Sequence, residues 1–235
     1  MFAYDDFINK VNELGFIANS KSLTGFPNTF EYTVDTPGNS QWWTGDPDTD
    51  PALWAIRGVK EKKLVYGGFF KGGRGCISPE WFAVYYRAFH PAVSIAERQE
   101  RGLLGRYEWQ VWQLVEKEGR MLGIHEIRRI LGVTPKSGAS SADNAINNLC
   151  MTCDLVIVGE ADMLDKNGRP YNKSIAYDKL ENWIPADWIG RSALPDPGQA
   201  REKIIRRLEE ISKPEGRDSA AKLFNKQVKL ISSIK

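Results

Sequence analysis

Residues Ser140 to Tyr177 read SSADNAINNLCMTCDLVIVGEADMLDKNGRPYNKSIAY, and the change of periodicity inside this stretch decides the fold. Ala142, Ala145, Ile146, Leu149, Cys150 and Cys153 recur at helical spacing, which predicts a helix capped by Ser140 or Ser141. From Leu155 to Val158 the pattern becomes β-branched. Asp165-Lys166-Asn167-Gly168-Arg169 then carries an Asn-Gly hairpin turn, and Ser174 to Tyr177 predicts the returning strand. Two more helices precede the stretch. Tyr107 to Glu118 places Trp109, Trp112 or Val111, Leu114 and Val115 on one stripe, with Gly119 beyond its end. Ile124 to Leu131 is shorter and stops at Gly132, leaving Thr134 to Gly138 as a turn. Three short helices followed by a two-stranded hairpin is the order of a winged helix-turn-helix, whose third helix enters a major groove and whose hairpin is the wing.

Spacing residues of the third helix at 100° puts Ser141, Asn144, Asn148 and Thr152 opposite the apolar stripe, with Asn147 beside them. Asn can pair bidentately with adenine, so base reading is chemically available to this face. Cations are missing from it: between Lys136 and Lys166 there is no Lys or Arg, while Asp143, Asp154, Glu160, Asp162 and Asp165 fall there. Phosphate neutralisation supplies much of the affinity of DNA binders. The expected phosphate contacts are therefore Lys166, Arg169 and Lys173 on the wing, with Arg206 and Arg207 (and Arg201 and Lys203 nearby) in a C-terminal helix. The competing reading makes all of these ordinary solvated side chains.

The rest of the chain divides around this module. Residues 1–105 read as an aromatic-rich α+β region. It opens with an amphipathic helix at Tyr4 to Leu14, continues with a strand at Thr29 to Val34, and places a helix after Asp50-Pro51. Lys71-Gly72-Gly73-Arg74 joins two short strands, Ser78-Pro79-Glu80 opens a helix that must stop before Pro91, and Ser94 with Glu97 forms a capping box for Ile95 to Leu104. Residues 106–190 are the winged helix, and 191–235 a basic helical tail. The fold class is α+β.

Charge supports that division. The net charge of +2 is too small to announce a polyanion partner, but residues 191–235 hold 11 Lys/Arg against 6 Asp/Glu, while the remainder is balanced. The N-terminus is acidic and alternates polar with apolar residues, unlike a signal peptide, and no run approaches the ~20 apolar residues of a membrane span. A cytoplasmic protein without membrane association is expected. Three cysteines do not make the disulfide framework of a secreted domain.

Several constellations invite chemistry. Cys150-Met151-Thr152-Cys153 has C-x-x-C spacing, but only Cys76, His90 and His125 remain as further soft donors, and the pair sits near a helix C-terminus, where the dipole does not favour thiolate. Burial explains it better. Asp46-Pro47-Asp48-Thr49-Asp50 imitates a calcium loop, yet the positions that need Gly and Glu are Pro51 and Arg57. No metal and no cofactor is expected. Trp42, Trp43, Trp54 and Trp81 could stack on unpaired bases, although packing in a core is the commoner use of tryptophan.

Larger blocks show a resemblance. Trp43-Thr44-Gly45-Asp46-Pro47-Asp48-Thr49-Asp50-Pro51, Tyr66-Gly67-Gly68-Phe69-Phe70, Ile77-Ser78-Pro79-Glu80-Trp81-Phe82 and Glu126-Ile127-Arg128-Arg129-Ile130-Leu131-Gly132 belong to it, as do Val156-Ile157-Val158-Gly159-Glu160, Tyr177-Asp178 and Trp183-Ile184-Pro185. Together they resemble bacterial winged-helix proteins related to the DNA glycosylase that unhooks alkylated and crosslinked bases. The resemblance implies a link to DNA repair or DNA binding. The glycosylase family's catalytic glutamine-any-glutamine motif has no counterpart; the nearest approach, Gln110-Val111-Trp112-Gln113, has the wrong spacing. The expected function is non-enzymatic binding of double-stranded DNA. The alternatives are a glycosylase or nuclease using the Asp46, Asp48 and Asp50 neighbourhood, and an interaction module for a protein partner or a second copy.

Overall fold

The computed structural model describes residues 2–19, 21, 23–32, 42–70, 73–190 and 196–234. The chain forms two compact units, one from residues 1–89 and 185–228, the other from 90–184 and 229–235. The class is α+β, with two small antiparallel sheets.

In chain order the first unit begins with α1 (Tyr4–Leu14), β1 (Phe16–Ala18), α2 (Pro51–Lys60), β2 (Val65–Phe70), β3 (Gly73–Ile77) and α3 (Pro79–Phe89). The second holds α4 (Ile95–Glu100), α5 (Arg106–Glu118), β4 (Leu122–Gly123), α6 (Ile124–Ile130), α7 (Ala139–Met151), β5 (Leu155–Leu164), β6 (Pro170–Lys179) and α8 (Leu180–Trp183). The chain then returns to the first unit through α9 (Ala186–Ile189), α10 (Pro197–Ile211) and α11 (Pro214–Arg217), and ends with α12 (Asn225–Ser232).

The first unit is built on the sheet β1-β3-β2, in which Phe16 and Val65 both face Ile77 across the central strand. Its core is aromatic: Phe16, Phe26, Phe70, Tyr85, Phe89 and Phe224 form a continuous set with ring centroids 4.8 to 6.4 Å apart. Gly75 is required here, because a Cβ would lie 2.1 Å from the Phe70 ring and 2.6 Å from the Ile17 carbonyl oxygen. Residues 196–228 group with this unit. Ala200, Ile204 and Leu208 of α10 are fully buried in this unit, where α10 packs on α3. Their spacing of four residues presents one apolar stripe, and the basic residues fall on its flanks.

The expected strand at Thr29 to Val34 is corrected: Thr29–Tyr32 is a 3₁₀ turn, while Thr33 and Val34 lie outside the described residues. One local bond and one bond to β1 take the place of a strand ladder. The Thr29 hydroxyl donates to the Ala18 carbonyl at 3.3 Å, and the Glu31 N–H donates to the Asn28 carbonyl at 3.0 Å. Lys71 and Gly72, half of the expected first hairpin turn, also lie outside the described residues.

In the second unit the order of α5, α6, α7 and the β5–β6 hairpin follows the expected sequence of elements, with one strand added. Leu122–Gly123 pairs with Tyr177 and Ala176, so the sheet is β4-β6-β5 rather than a bare hairpin. Val111, Leu114 and Val115 of α5, Ile127 of α6, and Ala142, Ala145, Ile146 and Leu149 of α7 form its core with Leu155, Val156, Ile157 and Tyr177. Trp109 and Trp112 remain half-exposed, so Val111 takes the inward place on the first-helix stripe. The strands are ten residues each, much longer than the short β-like runs suggested.

Candidate nucleic-acid interface

The geometry of α7 begins with its entrance. Neither Ser140 nor Ser141 caps it; the helix starts at Ala139, and Gly138 is the cap, in the left-handed region at φ +83°. The Tyr107 hydroxyl would lie 2.6 Å from a Cβ at this position, so glycine is needed on both counts. Ser140 and Ser141 are consequently exposed in the first turn.

Asn144 is exposed and Asn147 half-buried on the solvent side of α7. Asn148 has an internal task. Its Nδ2 donates to Glu108 Oε1 at 2.6 Å, while Glu108 Oε2 accepts the Gly105 N–H at 2.6 Å, so the side chain ties α7 to the start of α5. Thr152, expected on the same face, is buried and donates to Asp154 Oδ2 at 2.6 Å. Asp154 also receives both terminal nitrogens of Arg98, in an ion pair with both side chains almost fully buried.

The acidic character of α7 is partly cancelled by a neighbour. Arg128 of α6 holds Asp143 through two nitrogens, one of them Nε at 2.9 Å. This bond to the carboxylate raises the Arg128 pKa further above its ordinary value. The partner lies fifteen residues away in sequence, which is why counting charges along the chain missed it. Arg129 and Lys136 are exposed cations of the same segment. Arg120 is engaged with Glu126 and Glu118, at 2.7 and 3.1 Å.

On the hairpin, Lys166, Arg169 and Lys173 are all exposed. The tip is held by Asp165, whose Oδ1 accepts the N–H groups of Asn167 at 2.7 Å and Arg169 at 2.9 Å. Asp162 lies opposite Lys173 in the ladder.

Arg206 and Arg207 belong to the first unit. Arg206 is exposed, whereas Arg207 donates to the carbonyls of Leu14 at 3.1 Å and Glu13 at 2.6 Å and pairs with Glu210 at 3.0 Å. It satisfies the open carbonyls at the end of α1. Arg201 does the same for α3, donating to the Ala88 carbonyl at 3.2 Å, and Lys203 lies 5.5 Å from the centre of the Trp81 ring. Arg201 and Arg207 thus brace helix ends, where the dipole favours cations.

The sites considered for other chemistry are occupied by structural roles. Asp50 caps α2, accepting the Ala52 N–H at 3.1 Å; Asp46 accepts the Asp48 N–H at 3.0 Å; Asp48 pairs with Arg57 at 2.5 Å. Cys76, Cys150 and Cys153 are buried, and burial pushes the thiols of Cys76 and Cys153 up, against thiolate chemistry. Among the described residues no group of three or more His, Cys, Asp or Glu side chains could hold a metal ion, and no helix is long and apolar enough to cross a membrane. Trp54 is buried with Nε1 donating to the Asp48 carbonyl at 3.1 Å, Trp81 packs on Phe16, and Trp42 stacks on Phe30 at 4.3 Å; Trp43 alone of the four is 75% exposed. Gln110 and Gln113 line a shallow groove of about 600 Å³ on α5 with Trp109, Trp112 and Leu131.

No curated protein and no solved structure matches the chain. A family model described as AlkZ related matches residues 1–225, covering both units, in keeping with the resemblance to a DNA-glycosylase-like group. On that match the chain belongs to the AlkZ-related family.

Proposed function

We propose that residues 106–190 are a winged helix-turn-helix that holds double-stranded DNA without excising bases. The observation that carries this reading is the order α5, β4, α6, α7, β5, β6, combined with an exposed polar face on α7 and a hairpin bearing three exposed cations. Ser141, Asn144 and Asn147 meet base edges, and Lys166, Arg169 and Lys173 neutralise phosphates. Asn148 acts indirectly, by holding α7 against α5. Base excision finds no support in the sequence, which lacks the glutamine-any-glutamine motif, and Asp46, Asp48 and Asp50 are engaged in shaping their own loop.

The test is anisotropy of a labelled duplex titrated with protein at several salt concentrations. Affinity is expected to fall steeply with salt, and Lys166→Ala, Arg169→Ala or Lys173→Ala each to reduce the log–log slope by about 1 across all sequences. Asn144→Ala is expected to leave the slope unchanged and to alter the ranking of sequences. Absent binding, or binding indifferent to salt, refutes the reading.

A further inference from the structure

The hairpin that carries Lys166, Arg169 and Lys173 also carries two apolar side chains that packing does not use. Tyr171 is 63% exposed and Leu164 56%, the two highest values for large apolar side chains among the described residues of the second unit. Both lie at the tip. Burial along β5 and β6 falls from the base, where Leu155, Val156 and Ile157 are buried, toward the turn, where 170–173 are all exposed.

Tyr171 has a further peculiarity. Pairing steps from Met163 opposite Asn172 to Leu164 opposite Pro170, so Tyr171 is the extra residue of a β-bulge and has no cross-strand partner. Bulges re-aim a side chain out of the regular pleat and concentrate at functional sites. The turn beyond it is rigid before any ligand arrives. Asp165 exchanges backbone bonds with Gly168 and Arg169 at 3.0 and 2.9 Å, its carboxylate holds two more N–H groups, and Gly168 supplies the left-handed φ of +77°. An ordered tip loses little freedom on binding.

A ring and a branched aliphatic chain held out in water beside Lys166, Arg169 and Lys173, with Asp165 engaged in the turn and Asp162 opposite Lys173, are matched to a ligand with phosphates outside and flat apolar faces inside. We infer that the hairpin tip is a wedge for duplex DNA containing an unpaired or mismatched base, with Tyr171 stacking at the weakened step and Leu164 packing beside it. This deepens the DNA-binding reading above and rests on it. Insertion of an apolar side chain between base pairs costs unstacking, and that cost is least where pairing is already lost. The cations bring the tip to the backbone; the ring then selects the step.

The experiment compares wild type, Tyr171→Ala and Tyr171→Phe on two duplexes identical except for one mismatch, with 2-aminopurine beside it. Wild type is expected to prefer the mismatched duplex by about tenfold, the scale of one base stacked on one aromatic ring, and to change the 2-aminopurine fluorescence. Tyr171→Ala is expected to lose the preference and the fluorescence change while keeping affinity for the matched duplex within about twofold. Tyr171→Phe keeps both signals, because stacking needs the ring and not the hydroxyl. A mismatch preference that survives in Tyr171→Ala, or that wild type lacks while binding matched duplex, overturns the wedge and leaves the DNA-binding reading standing. Wild type that binds neither duplex overturns both.

Discussion

The two sheets have one topology and opposite exposures. In each, a lone strand (β1 or β4) is followed by helix and then by a hairpin (β2–β3 or β5–β6) whose second strand takes the middle place. In the first unit every residue of β1 is buried, as are most of β2 and the end of β3, under an aromatic core that admits only glycine at position 75. In the second unit only the base of the hairpin is buried, and the remaining length of two ten-residue strands runs out into water. The same connection pattern therefore makes a core element in one place and a projecting arm in the other. What differs is strand length beyond the covering helices, and the side chains placed there.

That contrast can be broken by mutation. The largest loss is expected at the base of the arm. Asp154→Ala strands Arg98, 1% exposed, without its carboxylate, and should lower stability by about 3–5 kcal/mol in urea denaturation. A loss below about 1 kcal/mol would show that water reaches the pair.

A pH effect is expected from the surface of the first unit. Burial alone would raise the Glu61 pKa, but hydrogen bonds from Arg57, Lys63 and Tyr4 outweigh it and hold the carboxyl at about 2. Because the folded value lies below the unfolded one, the stabilisation is complete above the ordinary carboxylate pKa and is lost as pH falls toward about 2. Glu61→Gln should flatten stability against pH in that acid window, and an unchanged profile would contradict the assignment.

Smaller still is Asp143→Ala, which cuts a half-exposed pair with Arg128 and should cost about 1 kcal/mol or less. The smallest effect is at the tip. Leu164→Ala should change stability by no more than about 0.5 kcal/mol, because the side chain packs on nothing that folding protects. A loss comparable to that at Asp154 would mean that the arm is part of the core and would remove its availability for a ligand.

Much of the second unit was legible beforehand because its information is local. Helical spacing in Ala142 to Leu149, the β-branched run after Leu155 and the Asn-Gly turn each specify an element within a dozen residues. The first unit was less legible, since Thr29 to Tyr32 has strand-like side chains, yet the Glu31 N–H to Asn28 carbonyl bond closes a 3₁₀ turn there. The candidate interface was read from helical spacing, which gave Ser141, Asn144, Asn147 and Asn148, and from charge. Charge pointed to Lys166, Arg169 and Lys173, which are exposed, but could not separate the exposed Arg206 from Arg207, which closes a helix end formed almost two hundred residues earlier. Leu164 and Tyr171 fall outside the two short strands that the sequence pattern marks, and only the full ten-residue strands place them side by side near the tip.

By itself, then, the sequence determined the order of three helices and a hairpin in residues 106–179, the balance of charge along the chain and the absence of the glutamine motif, all of which depend on neighbours in the chain. Only the tertiary structure decided that Arg128 neutralises Asp143, that Asn148 is committed to Glu108, that the basic C-terminal helix is part of the first core, and that the hairpin outruns its cover. Those outcomes rest on contacts between residues distant in sequence, and burial and pairing, unlike periodicity, exist only once the chain has folded.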